Sequence, residues 1–214
     1  MKKILLPLMA ASLALGLAHA ATAEVILYDN ANPADSPNSF NGNSHAWTIT
    51  NLTVGDTFVL TAPGTVSDVN FWSWTTPADT IDTVDWSITD LTGDTTYGSG
   101  TADVNNTFEF TNSNNPQYDI NEVNFATGAV TLPTGTYILS LTGATTSDSA
   151  IAYWDEDDGP SSATSNGVPA PIGSESFQIL GSPSPTPEPS GLVLLSIGTL
   201  FVGFYIMRRR QSVA

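Results

Sequence analysis

Apolar and polar residues alternate through much of the chain between positions 24 and 181, the period-two signature of half-buried strands. Val84, Trp86 and Ile88 share one parity, with Asp85, Ser87 and Thr89 on the other. Tyr137, Leu139 and Leu141 alternate with Ile138 and Ser140, and Phe177 and Ile179 repeat the pattern near position 180. The same reasoning predicts strands at 24–28, 47–52, 57–61, 66–74, 84–89, 107–110, 119–125, 136–141, 150–154 and 176–180. Thr, Val, Ile, Trp, Tyr and Phe are abundant in these stretches, and Gly, Pro, Asn and Asp punctuate them. Pro63-Gly64, Asn41-Gly42 and Pro133-Thr134-Gly135 supply turn chemistry. No stretch of useful length carries the 3.6-residue period of a helix, and no internal repeat is evident. About ten short strands separated by turns predict an all-β fold, a single jelly-roll-like β-sandwich over 24–181.

The pattern breaks at both ends. Lys2 and Lys3 precede an apolar run from Ile4 to Leu17, and two small-x-small sites follow, Ala18-His19-Ala20 and Ala21-Thr22-Ala23. A charged start, a short apolar core and such sites read as a secretory signal over 1–23, cleaved by signal peptidase before Glu24. At the other end, 182–190 reads SPSPTPEPS, a Pro-rich spacer expected to be extended. Positions 191–207 carry no charge; as a helix they span roughly 25 Å, marginal for a bilayer. Arg208, Arg209 and Arg210 open the tail 208–214 and favour a cytoplasmic C-terminus, which leaves the domain outside the membrane.

Charge sharpens this division. The chain of 214 residues has 21 Asp and Glu against 5 Lys and Arg, a formal net charge of −16. All five basic residues lie in the two end segments, and every acidic residue lies between Glu24 and Glu188. A domain without Lys or Arg is a poor partner for nucleic acid or anionic lipid, because both are bound through basic patches. The carboxylates repel one another, so salt should stabilise the fold. The absence of Cys removes disulfides, thiolate metal sites and Cys nucleophiles.

Pro187-Glu188-Pro189, an apolar segment and the cluster Arg208-Arg209-Arg210 follow one another at the end of the chain. This arrangement resembles the PEP-CTERM sorting signal. The resemblance covers about 25 residues and implies that the chain is a substrate of exosortase, a membrane transpeptidase-like protease of Gram-negative bacteria that also make extracellular polysaccharide. It implies cleavage near Pro187-Glu188-Pro189 and release to the cell surface or matrix. The series Leu27-Tyr28-Asp29-Asn30, Val69-Asn70-Phe71-Trp72, Leu132-Pro133-Thr134-Gly135-Thr136-Tyr137 and Ala152-Tyr153-Trp154 resembles ectodomains found ahead of such tails, and more loosely carbohydrate-binding jelly rolls.

Candidate chemistry in the domain is sparse. Asp155, Glu156, Asp157 and Asp158 form the densest acidic run, followed by Gly159. Carboxylates so close together suit Ca²⁺, a hard ion taking six to eight oxygens, although the spacing departs from an EF-hand; the same run also reads as a solvated loop. Asp79, Asp82 and Asp85 are a weaker series of the same kind. Trp72, Trp74 and Trp154 are candidates for stacking on sugars if exposed, and core residues otherwise; Trp86, in phase with Val84 and Ile88, reads as core. His45 alone cannot build a typical zinc site, and no Gly-x-Ser-x-Gly elbow accompanies it. Gly98-Ser99-Gly100 lacks the Lys of a phosphate loop. Asn51-Leu52-Thr53 and Asn105-Asn106-Thr107 match glycosylation sequons.

These observations predict an exported, non-enzymatic protein. It would be held briefly at the inner membrane and then released to the surface or matrix, with a structural or adhesive role in exopolysaccharide or biofilm. The alternative reading is a glycan-binding module using exposed Trp, and a secreted glycosidase trails behind it. The expected partners are signal peptidase, exosortase and extracellular polysaccharide, with Ca²⁺ as the one candidate ion.

Overall fold

A computed structural model describes residues 24–30, 46–112, 115–157, 159–169 and 174–184. The signal segment, Asn41-Gly42, His45, Asp158, residues 185–190 of the Pro-rich spacer, the apolar segment and the Arg cluster lie outside the described residues; Ser182 and Pro183, read as spacer, instead end strand β14 against Thr65 and Gly64. Within them the fold is all-β and consists of two antiparallel sheets. The first sheet has eight strands: β1 (Val25–Asn30), β2 (Ala46–Thr48), β4 (Gly64–Thr75), β7 (Asn105–Thr111), β8 (Asp119–Leu132), β10 (Tyr153–Asp157), β13 (Ser174–Glu175) and β14 (Phe177–Pro183). The second has six, in the order β12 (Val168–Pro169), β11 (Ala163–Ser165), β3 (Val54–Leu60), β9 (Gly135–Thr146), β5 (Ile81–Asp90) and β6 (Thr96–Asp103). Among the described residues no helix is long and apolar enough to cross a membrane.

The period-two pattern is what assembles this. On β5 the buried positions are Ile81, Val84, Trp86 and Ile88; on β9 they include Tyr137, Leu139 and Leu141. These parities face Val66, Val69 and Phe71 of β4, Val123 and Phe125 of β8, and Phe177 and Ile179 of β14 in one continuous core. Each such side chain contributes about 1.5–3 kcal/mol on burial. A chain of aromatic contacts crosses the core: Tyr28–Phe177 (5.5 Å), Phe177–Trp154 (5.7 Å), Trp154–Phe71 (6.1 Å), Phe71–Phe125 (6.2 Å) and Phe125–Trp86 (6.0 Å between centroids). The Pro133–Gly135 turn is tied down by Tyr137, whose hydroxyl donates to the Pro133 carbonyl at 2.7 Å.

Three differences from the sequence reading have clear causes. The strand β6, TYGSGTAD, is almost entirely exposed, so it has no apolar parity to betray it. At its centre Gly98 is required: a Cβ there would lie 2.7 Å from Val130 Cγ2 and 3.1 Å from the Trp86 ring. The short strands β11, β12 and β13 are two or three residues long and carry too little pattern to be recognised. Finally, 153–157 is a buried strand rather than a strand end followed by an acidic loop.

Candidate functional site

Strand β10 pairs with four neighbours. Tyr153 and Trp154 face Trp74 and Ser73 of β4, Tyr153 to Asp155 face Thr48 to Ala46 of β2, and Glu156 and Asp157 face Glu175 and Ser174 of β13. The fourth neighbour is Ser176, between β13 and β14, which donates its N–H to the Asp155 carbonyl at 2.7 Å. The Ser176 carbonyl in turn accepts Trp72 N–H at 3.2 Å and Trp154 Nε1 at 2.9 Å. With so many neighbours, no side chain of β10 reaches far into solvent.

Alternation along β10 then separates the acidic run. Trp154 joins the core between the sheets, and Glu156 shares its parity. Asp155 lies on the other face, where its Oδ1 accepts the Trp74 indole N–H. Asp155, Glu156 and Asp157 are all buried, and Asp158 lies outside the described residues. Asp155 and Glu156 therefore point to opposite faces of a buried strand rather than together from a loop, and the fourth residue of the calcium reading, Asp158, lies outside the described residues. Among the described residues no three acidic or histidine side chains make a group that could hold a metal ion. Asp79, Asp82 and Asp85 do not converge either: Asp79 sits in the turn after β4, taking the Thr80 N–H (2.8 Å) and Ser147 Oγ (2.5 Å), while Asp82 is exposed on β5.

The Trp expectation is corrected too. Trp72, Trp74 and Trp154 are buried, at 3%, 5% and 0% exposure. Trp154 belongs to the main core, whereas Trp72 and Trp74 lie on the opposite face of β4 with Ile120. Phe110, Tyr118, Tyr153 and Ala46 pack around that second cluster, with Trp74–Tyr118 centroids 5.7 Å apart. None of the three offers an open indole face on which a sugar could stack.

What the structure brings together instead are acids in phase with the apolar faces. Asp56 stands between Val54 and Phe58 on the inward parity of β3 and is fully buried. Its Oδ2 accepts the Glu175 backbone N–H (2.6 Å), Ser161 Oγ (2.6 Å) and Asn30 Nδ2 (3.4 Å); Oδ1 accepts Thr57 N–H (2.6 Å). Asn30 also donates to Ser161 Oγ at 2.7 Å and to the Glu175 carbonyl. Burial pushes the Asp56 carboxyl up to about 6, and the hydrogen bonds hold it from rising further. Packing here is close: a Cβ at Gly159 would lie 2.1 Å from Asn30 Oδ1 and 2.6 Å from Ser174 Oγ.

Glu156 and Glu175 are directly opposed in the β10–β13 ladder. Opposed residues of an antiparallel pair project to one face with their Cβ atoms about 5 Å apart. Glu175 is fully buried and Glu156 is 6% exposed, yet among the described residues none of their four carboxylate oxygens has a hydrogen-bond partner. The Trp47 indole favours ionised Glu156 and so opposes the effect of burial, although its N–H has no hydrogen-bond partner among the described residues. Burial raises Glu156 to about 7. Burial, and then the charges of Glu156, Asp56 and Asp155, raise Glu175 well above the usual carboxylate range. Asp155 rises to about 8, again through burial first.

No protein-family model matches the chain, and no curated protein matches it.

The sequence did hold a signal for this cluster. Val54-x-Asp56-x-Phe58, Trp154-x-Glu156 and Glu175-x-Phe177 each place an acid on the parity of a buried apolar residue. Density of acids along the chain pointed to 155–158, but parity decides which acids face the core between the sheets; Asp155 and Asp157, on the other parity, are buried on the opposite face.

Proposed function

We propose that the chain is an exported cell-surface or extracellular-matrix protein, sorted by exosortase through a PEP-CTERM signal, with a structural or adhesive role in exopolysaccharide or biofilm. One observation carries this reading: Pro187-Glu188-Pro189, an uncharged segment over 191–207 and Arg208-Arg209-Arg210 occur in that order after the domain. The last strand of the domain, β14, ends at Pro183, just inside the Pro-rich stretch 182–190. The signal segment 1–23 directs export, and signal peptidase removes it. The two sheets are read as a jelly-roll-like sandwich that acts by its surface.

A surface role fits the chemistry of the domain. Its charge is all of one sign, which favours solubility and mutual spacing within a polymer matrix. Its interior acids, Asp56, Glu156 and Glu175, are sealed from any dissolved substrate, which favours a non-enzymatic role. The burial of Trp72, Trp74 and Trp154 removes the specific argument for a glycan-stacking site.

Localisation in cells that carry exosortase tests the reading. The wild-type chain is expected in the surface or matrix fraction. Replacing Arg208, Arg209 and Arg210 by Ala, or Glu188→Ala, should leave it in the inner-membrane fraction or misrouted. Equal surface delivery of wild type and both variants would overturn the proposal.

A further inference from the structure

The opposed pair Glu156 and Glu175 is an unusual arrangement energetically. Like charges facing each other across a ladder destabilise it, and a buried carboxylate without a partner is costlier still. The usual remedy, a Lys or Arg, is missing, since none occurs between Glu24 and Met207. The acids of the neighbouring elements make matters worse. Asp56 of β3 and Asp155 of β10 both add negative charge toward Glu175, and Asp56 also acts on the Tyr28 hydroxyl of β1. Of the nearby neutral donors, Ser161 bonds Asp56 and Ser174 Oγ donates to the Asp157 carbonyl at 2.9 Å, while Trp47 Nε1, which favours ionised Glu156, makes no hydrogen bond among the described residues. Among the described residues, what remains to neutralise the pair is the proton.

We propose that Glu156 and Glu175 form a proton-operated latch: while the two carboxyls hold protons, β13 stays on β10 and closes this end of the sandwich, and when both ionise β13 lifts away. The element is suited to such motion. β13 is two residues long, and its described ladder to β10 is the Glu156–Glu175 and Asp157–Ser174 pairs, continued by the Ser176 N–H on the Asp155 carbonyl. Its release would also detach the Glu175 N–H from Asp56 and so uncouple the two sheets locally. The long ladders between β4 and β8 and between β5 and β9 carry no such pair and would stay closed. Burial favours the protonated forms of both groups, so the closed state extends toward neutral pH rather than being confined to strongly acid conditions. The latch goes beyond the sorting proposal and does not depend on it.

Amide hydrogen exchange on the full-length chain, corrected for the intrinsic pH dependence of exchange, tests it. Between about pH 5 and about pH 9, protection at 155–157 and 174–176 should fall by about tenfold or more, while β4, β8 and β9 stay protected. Glu175→Gln and Glu156→Gln, which keep shape without charge, should each flatten that dependence. Constant wild-type protection across the range, or an unchanged dependence in both variants, would overturn the latch. Should either variant fail to fold, infrared spectroscopy of the wild type gives a second readout. A protonated-carboxyl band should persist into the neutral range and disappear in step with the loss of protection at β13; loss of the whole band near about pH 5 would refute the proposal. Millimolar CaCl₂ at the alkaline end provides a further arm. Restoration of protection by calcium would assign the pair to a cation and overturn the proton latch.

Discussion

The backbone N–H of Glu175, in one sheet, is donated to Oδ2 of Asp56, in the other, at 2.6 Å. A hydrogen bond between the two layers of a sandwich is a different kind of contact from the apolar packing around it, because it fixes position as well as proximity. Ser161 and Asn30 converge on the same oxygen, so three segments distant in sequence are tied to one carboxylate.

Asp56→Ala should therefore destabilise the domain by about 1–3 kcal/mol, mainly by leaving the Glu175 N–H buried and unpaired. Asp56→Asn keeps an acceptor and should fall between wild type and Ala. Urea denaturation with a common slope checks both. Equal midpoints for Asp56→Ala and wild type would show that the tie contributes nothing.

Stability should decline as pH rises from about 4 to about 8. Asp56, Glu156 and Asp155 are raised to about 6, 7 and 8, and Glu175 is raised as well, in each case chiefly by burial. Each group binds a proton more tightly folded than unfolded, so its stabilisation is complete below its unfolded pKa and is lost as pH passes its folded pKa. Asp90 works the other way. Thr92 and Thr95, with the Asp94 N–H, hold its carboxyl below the usual range, so its contribution is lost on strong acidification. Thermal melts across this range should give a maximum on the mildly acid side; a Tm that climbs steadily toward pH 8 contradicts the assignment.

Trp154→Ala should be among the most damaging single changes, at about 3–5 kcal/mol. The side chain is fully buried, packs edge-on against Phe71 and Phe177, and donates Nε1 to the Ser176 carbonyl. If Trp154 were instead a sugar platform, its removal would spare stability and abolish polysaccharide retention. Denaturation and co-sedimentation with exopolysaccharide, run on the same variant, separate these outcomes.

Sodium chloride should raise the Tm from low ionic strength to about 0.15 M, where screening reaches about 8 Å. Calcium chloride at matched ionic strength should give the same midpoint, because Asp155, Glu156 and Asp157 are buried along β10 rather than exposed together in a loop. A calcium-specific rise would point to a metal site.

Much of the fold was legible because a strand with one buried face writes its own pattern. Val84, Trp86 and Ile88, and Tyr137, Leu139 and Leu141, are buried as their parity implied. Trp72 and Trp74 were ambiguous for a physical reason. Their parity opposes that of Val69 and Phe71, and what buries them comes from Ile120, Tyr118 and Tyr153, contacts that local alternation does not encode. The acid cluster was obscured in the same way. Asp56, Glu156 and Glu175 lie far apart in sequence, and only the pairing of β10 with β13 and the facing of the two sheets bring them to one place.

The central claim is sorting, and the mass of the mature protein recovered from the surface or matrix of producing cells tests it most directly. The account predicts a chain beginning at Glu24 and ending near Pro187-Glu188-Pro189, without the apolar segment or the Arg cluster. A recovered protein whose C-terminus is Ala214 would contradict it.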